Sequence, residues 1–347
     1  MKRVFWLTVL LISTYVFELL FLYPGNIVDE VSYYEPTSQI SVTNTTIYNK
    51  DIDHYYKIVK QLKETDFDSL DKSITRNDGD LIEDYSKSIE LLISEININL
   101  LFHNFTKFRE SNSGLKGIYV NGYYMNKETK MNSIKEILAK TNVNTLVIDA
   151  KTDNGHVLFD SQSSETDILK NERIKYDAAS LQELRKIKDL YLIARIVVFQ
   201  DPLFAKTFKE EAIFDSKNNR IYSQNEQYFL DPSSQRARDY TLSLAIEACQ
   251  LGFNEIQFDY IRYPDSTYQY MVFKEKNNYL NRTNNINSFL AEAKDRLHKE
   301  GCLVSADIFG FILTNTEDGG IGQNLETIIE SVDFISPMVY PSHYSNG

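Results

Sequence analysis

From Gly114 onward the chain alternates short apolar runs with amphipathic ones, and this rhythm limits the available folds more than any other feature. The runs "LKGIYV", "NTLVIDAK", "YLIARIVVFQ", "EIQFDYIRYP", "CLVSADIFG" and "DFISPMVYP" read as strands. Several are almost continuously apolar, as expected of strands covered on both faces. Between them, "NSIKEILAKT", "ASLQELRKIKDL", "DPSSQRARDYTLSLAIEACQLG", "INSFLAEAKDRLHKEG" and "NLETIIESV" carry helical periodicity. Asp231 is the expected cap of the third helix, Pro232 lies in its first turn and Gly252 ends it. Strands alternating with helices give a parallel sheet. A single series of this length favours a (β/α)8 TIM barrel over a doubly wound sheet, and no Gly-rich phosphate loop follows any strand. The expected fold class is therefore α/β, with six βα units visible where a closed barrel has eight. The missing units are expected beyond Gly347. Residues 152–235 offer a hairpin turning at Asp153-Asn154-Gly155 and loop insertions, but no further βα unit.

The residues before Gly114 have a different character. Lys2 and Arg3 precede an apolar run from Val4 to Tyr23. At about 1.5 Å per helical residue that run spans a bilayer. It ends in Tyr23-Pro24-Gly25 without a small-x-small cleavage site, so an uncleaved anchor is expected over 1–25, with a cleaved signal peptide as the alternative. Either places the remainder outside the cytoplasm. Residues 26 to about 50 are polar and linker-like. From Asp51 to about Glu110 a helical pattern suggests a spacer, so that 26–113 separates the membrane from a barrel domain over 114–347. The net charge of −12 excludes nonspecific nucleic-acid binding, which needs clustered Lys and Arg. Cys249 and Cys302 are too few for a disulfide framework; they read as separate buried residues, with a mutual disulfide as the alternative.

Active sites of such barrels lie at the carboxyl ends of the strands. Polar residues recur there in strand after strand. Strand two ends in Asp149 and Lys151, and strand three carries Arg195. Strand four carries Glu255, Gln257 and Asp259 on one face, with Arg262 and Tyr263 beyond. Strand five ends in Asp307, and strand six is followed by Tyr340 and His343. Unpaired charge inside a barrel costs several kcal/mol, so this recurrence points to chemistry. Glu255 is the exception: it starts its strand, at the closed bottom, and reads as structural. Paired carboxylates suit glycoside hydrolysis, in which one serves as nucleophile or base and the other protonates the leaving oxygen. Asp259 and Asp307 are the candidate catalytic pair. Asp149, Lys151, Arg195, Arg262, Tyr263, Tyr340 and His343 are the candidate substrate-binding residues. The five histidines show no metal-ligand spacing, no metal or other cofactor is expected, and no G-x-S-x-G appears.

Taken in order, "LKGIYV", "NTLVIDAKTDNGHVLF", "ARIVVFQDPLFAK", "LDPSSQRARDY", "LGFNEIQFDYIRYP", "SADIFG" and "ISPMVYPSHYSNG" resemble a bacterial family of glycosyl hydrolase domains. The resemblance covers about Leu115 to Gly347. It implies a TIM barrel distantly similar to α-amylase-type enzymes, an exported or membrane-bound location and a polysaccharide substrate. By that analogy the strand-four carboxylate, Asp259, is the nucleophile. The strand-five carboxylate, Asp307, is the acid/base, an Asp where amylase-type enzymes use Glu. The competing expectation is a non-catalytic cell-surface module that binds glycan without cleaving it.

Overall fold

The computed structural model describes residue 98 and residues 101–340, apart from 103, 113, 170–174, 177 and 266–268. All lie in one compact unit, Tyr55–Gly347. The expected anchor over 1–25, the linker, most of the spacer and His343 fall outside the described residues. Among the described residues no helix is long and apolar enough to cross a membrane.

The six strands form one curled parallel sheet in sequence order: β1 (Gly117–Val120), β2 (Thr145–Lys151), β3 (Tyr191–Val197), β4 (Glu255–Asp259), β5 (Leu303–Phe309) and β6 (Phe334–Met338). This is the arc of an incomplete barrel. Among the described residues the longer helices that follow the strands are α1 (Glu128–Lys140), α2 (Ala178–Arg185), α3 (Gln235–Leu251), α4 (Tyr279–Glu300) and α5 (Leu325–Ser331), with two short ones at Ser164–Ile168 and Pro202–Thr207. Alternate strand residues such as Ile148, Ile196, Phe258 and Ala306 are completely buried in the main hydrophobic core, which also takes in Leu244 of α3 and Phe289 of α4. The insertion between β3 and α3 contributes only two-residue strands, so it adds no barrel unit. The expected hairpin after β2 is present: Thr152 N donates to His156 O at 2.9 Å and Gly155 adopts φ 81°.

Two expectations need correction. Ser234, not Asp231, caps α3, its Oγ accepting from Ala237 N. Asp231 instead ties down the chain around the helix start, accepting from Ser233 N and from Lys274 N. Gly252 ends the helix as expected, at φ 106°. Cys249 and Cys302 are joined in a disulfide, not separate. The last turns of α3 pack beside the start of β5, leaving the two Cα atoms 6.0 Å apart. The bond closes a loop over a sequence separation of 53, so a Cys249→Ala/Cys302→Ala protein should lose about 2–4 kcal/mol of stability. Urea unfolding with and without reductant measures it; a wild-type midpoint insensitive to reductant would contradict the prediction.

The end of the helical segment ahead of β1 packs on the sheet. In the helical stretch 104–111, Phe105 packs 4.7 Å from the Phe334 ring and 5.6 Å from Tyr191, and Phe108 also reaches Tyr191. With Val147, Ile193 and Leu303 these residues form a second apolar cluster. The physical reason is the sheet itself. Its lower inner face is apolar, and a helix laid against that face buries it. Phe105→Ala is expected to cost about 3–5 kcal/mol, read as a lowered urea midpoint at unchanged slope. A loss under about 1 kcal/mol would show that the helix is only loosely attached.

Candidate active site

Strand alternation sends Asp149, Arg195, Gln257, Asp259, Asp307 and Ser336 to the inner face, above the apolar floor. The register aligns them: Asp149 pairs with Arg195, Arg195 with Gln257, Val197 with Asp259 and Asp307 with Ser336. Arg195 is the hub. Its Nη1 donates to Asp149 Oδ1 at 2.7 Å, and its Nε and Nη2 both donate to Asp259 Oδ2, Nε at 3.0 Å. Burial opposes its charge, but the two carboxylates hold the guanidinium above its usual pKa. Tyr119 closes the row from β1, its hydroxyl donating to Asp149 Oδ2. Burial, then the hydrogen bond to Asp149, raises the Tyr119 pKa, so this hydroxyl stays protonated.

Asp307 has a different environment. Gln257 Nε2 donates to its Oδ1 at 2.8 Å and also reaches Ser336 Oγ at 3.0 Å. Burial pushes the Asp307 carboxyl well above the usual carboxylate range, and the neighbouring Asp259 charge pushes it further. Arg195, Ser336 and Gln257 pull it down without cancelling those effects. The site thus holds Asp259 paired with a guanidinium beside Asp307, whose carboxyl burial pushes upward. Unlike surroundings of this kind let two carboxyl groups take separate acid and base roles.

Just past β4 the backbone turns sharply. Tyr260 adopts φ 50°, a left-handed conformation uncommon for a bulky residue, and its N–H donates to Asp259 Oδ1 at 2.7 Å. Strain of this kind costs roughly 1–3 kcal/mol and persists where surrounding structure enforces it. Here it fixes Asp259 from behind. It also brings Arg262 to 5.1 Å from the Tyr260 ring and 4.9 Å from the ring of Phe309, at the end of β5.

The structure brings together Asp149, Arg195, Asp259 and Asp307, and sets Arg262 at their edge. Two expected binding residues lie elsewhere. Lys151 follows an irregularity in the β2–β3 register at Asp149/Lys151. An irregularity of this kind breaks strict alternation, and Lys151 faces away from the inner row. It is 0% exposed; its Nζ donates to Val197 O at 2.7 Å and pairs with Asp201, which caps the helix Pro202–Thr207. It is a structural ion pair. Tyr263 is also buried, its hydroxyl accepting from Asn285 of α4, so its ring presents no face to a ligand. Tyr340, just beyond β6, is 54% exposed. Glu255 sits low on the inner face, as expected, accepting from Tyr191, and burial raises its pKa. Sequence reasoning missed Tyr119, Tyr260 and Ser336. Alternation along β1 and β6 could have found the first and last; nothing in the sequence announces the conformation of Tyr260. Among the described residues no three His, Cys, Asp or Glu side chains converge as metal ligands.

A curled parallel α/β sheet with polar residues gathered at the carboxyl ends of its strands is the arc of a TIM barrel, which places its sites on that rim. The chain belongs to the family described as "Putative glycosyl hydrolase domain", which it matches over residues 117–347. A hypothetical protein from Ruminiclostridium thermocellum is 30% identical, with 55% of this chain and 96% of that one aligned at a TM-score of 0.48. The PgaB (BpsB) glycoside hydrolase domain from Bordetella bronchiseptica shares 9% identity, over 65% of this chain and 74% of that domain, at a TM-score of 0.50. No curated protein matches significantly.

Proposed function

We propose that the protein is a retaining glycoside hydrolase of an extracellular or cell-envelope polysaccharide, with Asp259 as nucleophile and Asp307 as acid/base. The observation that carries this reading is the pairing of a guanidinium-bound carboxylate with a carboxyl of raised pKa on adjacent strands. Ala306 pairs with Phe258, so Asp307 and Asp259 follow side by side on one face. Neighbouring strands lie about 4.8 Å apart. Side chains projecting side by side from adjacent strands favour the short carboxyl spacing of retaining enzymes, roughly 5–5.5 Å, over the wider gap that inverting enzymes need for a water.

In the first step the Asp307 proton passes to the glycosidic oxygen as the bond to the anomeric carbon breaks. An Asp259 oxygen attacks that carbon, forming a glycosyl ester. In the second step Asp307, now a carboxylate, takes a proton from water. The hydroxide attacks the same carbon and Asp259 leaves as carboxylate. Arg195 orients the nucleophile and stabilises its charge, and Asp149 with Tyr119 holds Arg195 in place. Tyr340 extends the binding surface beyond β6, and His343 is a further candidate binding residue by its place in the sequence. Proton NMR of the nascent product anomer tests the stereochemistry: retention is expected, and inversion would assign Asp259 the role of base.

The apolar run Val4–Tyr23 then either anchors the enzyme or is removed on export, and the Cys249–Cys302 bond fits an oxidising compartment. Protease accessibility in intact cells tests the location; protection of the catalytic domain would contradict it.

A further inference from the structure

Arg262 is a buried cation whose partners do not match its charge. The residue is 7% exposed. Among the described residues its one hydrogen bond runs from Nη1 to the Tyr263 carbonyl, at 3.0 Å. The nearest carboxylate oxygen, Asp265 Oδ2, is 3.9 Å from Nη2, beyond hydrogen-bond reach, and that side chain is half exposed. Arg195 and Arg282 show the contrast: Arg195 engages two aspartates, and Arg282 grips Asp318 through two nitrogens at 2.6 and 2.9 Å. What Arg262 has instead is aromatic faces, with its guanidinium carbon 5.1 Å from Tyr260, 4.9 Å from Phe309 and 5.7 Å from Phe229. Cation–π contacts do not replace a counter-ion. Burial accordingly lowers the Arg262 pKa.

Position gives this demand a meaning. Phe309 lies two residues beyond Asp307 on the same face of β5, about 6–7 Å along the strand. Tyr260 directly follows Asp259. Arg262 therefore lies against the ring of the residue that follows Asp259 and the ring of the residue two beyond Asp307, on the rim that carries the carboxyl pair. From this we infer that Arg262, Tyr260 and Phe309 form a subsite for an acidic sugar, with the guanidinium receiving the carboxylate of a uronic acid. The inference rests on the glycoside hydrolase reading and names its substrate class. A guanidinium fork matches a planar carboxylate in two-point contact, which a lysine would not. The net charge of −12 opposes accumulation of a dense polyanion, so the acidic sugar belongs to a sparsely charged heteropolysaccharide.

The test is binding of a glucuronate-containing oligosaccharide and of the same oligosaccharide with its carboxyl reduced to the alcohol. Both are titrated by calorimetry into the full chain carrying Asp259→Asn, with and without Arg262→Gln or Arg262→Lys. The acidic ligand is expected to bind about 10- to 100-fold tighter than the reduced one. That preference should vanish in Arg262→Gln and recover in part in Arg262→Lys, with unfolding midpoints confirming that both variants are folded. Equal affinity for the two ligands, binding of neither, or a preference untouched by Arg262→Gln overturns the inference. A sulfated analogue that outcompetes the uronate also overturns it. Hydrolysis of neutral glycan that depends on Asp259 would survive that outcome and keep the two readings separable.

Discussion

In the Asp259→Asn protein, turnover of a cleavable glycan falls by about 10³-fold or more, while affinity for it stays within a few fold. The amide keeps the shape of the carboxyl, and its oxygen still accepts from Arg195, which also retains Asp149; the one contact given up is that of Tyr260 N to Oδ1. The fold and the binding surface therefore persist. What is lost is the anion that bonds to the anomeric carbon, and no other carboxylate pairs with Arg195 from β4. A second effect accompanies the first. The Asp259 charge is among the causes that raise the Asp307 pKa, so removing it moves the Asp307 titration downward. Both follow from one substitution, by steady-state kinetics and by carboxyl NMR. Turnover reduced less than about tenfold would remove Asp259 from the covalent step.

Asp307→Asn separates stability from activity. Turnover is expected to fall by about 10²–10⁴-fold, because a positioned general acid contributes on that scale. In the wild type, burial first and the Asp259 charge second keep Asp307 protonated above the ordinary carboxylate pKa of about 3.9. The acid form is present below the raised value, so the wild-type rate declines on the alkaline side as pH climbs through it. The variant loses that limb. The same shift affects folding. Between the unfolded and the raised folded pKa the native state binds more protons than the unfolded chain, so the Asp307 contribution to stability is full below that window and is lost as pH rises through it. An amide does not ionise. The Asp307→Asn protein should therefore melt at a higher temperature than wild type at neutral pH while being nearly inactive. A carboxyl present only for structure would move both quantities down together.

Glu255, on the same strand as Asp259, shows how such effects divide between site and scaffold. It too is buried with a raised pKa, yet it lies low on the inner face against Tyr191. Glu255→Gln should raise the neutral-pH melting temperature as Asp307→Asn does but leave turnover within about twofold. A large loss of turnover would place Glu255 in the chemistry. Calorimetry and kinetics on one preparation decide it.

The barrel arc was legible because strand and helix periodicities are local properties of the chain. All six strands follow the apolar runs in order, and alternation alone put Asp149, Arg195, Asp259 and Asp307 on a common face. Where the reading failed, the cause was not local. One backbone irregularity separates Asp149 from Lys151, and strict alternation gives no warning of it. Tyr263 follows a residue with positive φ by three positions, so counting along an ideal strand no longer predicts which way it faces. The Cys249–Cys302 bond depends on how α3 packs beside β5, a distance that spacing in sequence does not reveal. Amphipathicity marks the helix carrying Phe105, but the apolar surface it packs on is assembled from residues of several strands that are far away in sequence.

The most direct test of the central claim is release of reducing ends from a panel of cell-envelope and exopolysaccharide glycans. Wild-type full chain is assayed beside Asp259→Asn and Asp307→Asn, with glycan retention measured on the same preparations. The account predicts release by the wild type from at least one glycan, no detectable release by either variant, and retention by all three proteins. Retention of glycan by all three with no release by the wild type would contradict it and make the chain a binding module.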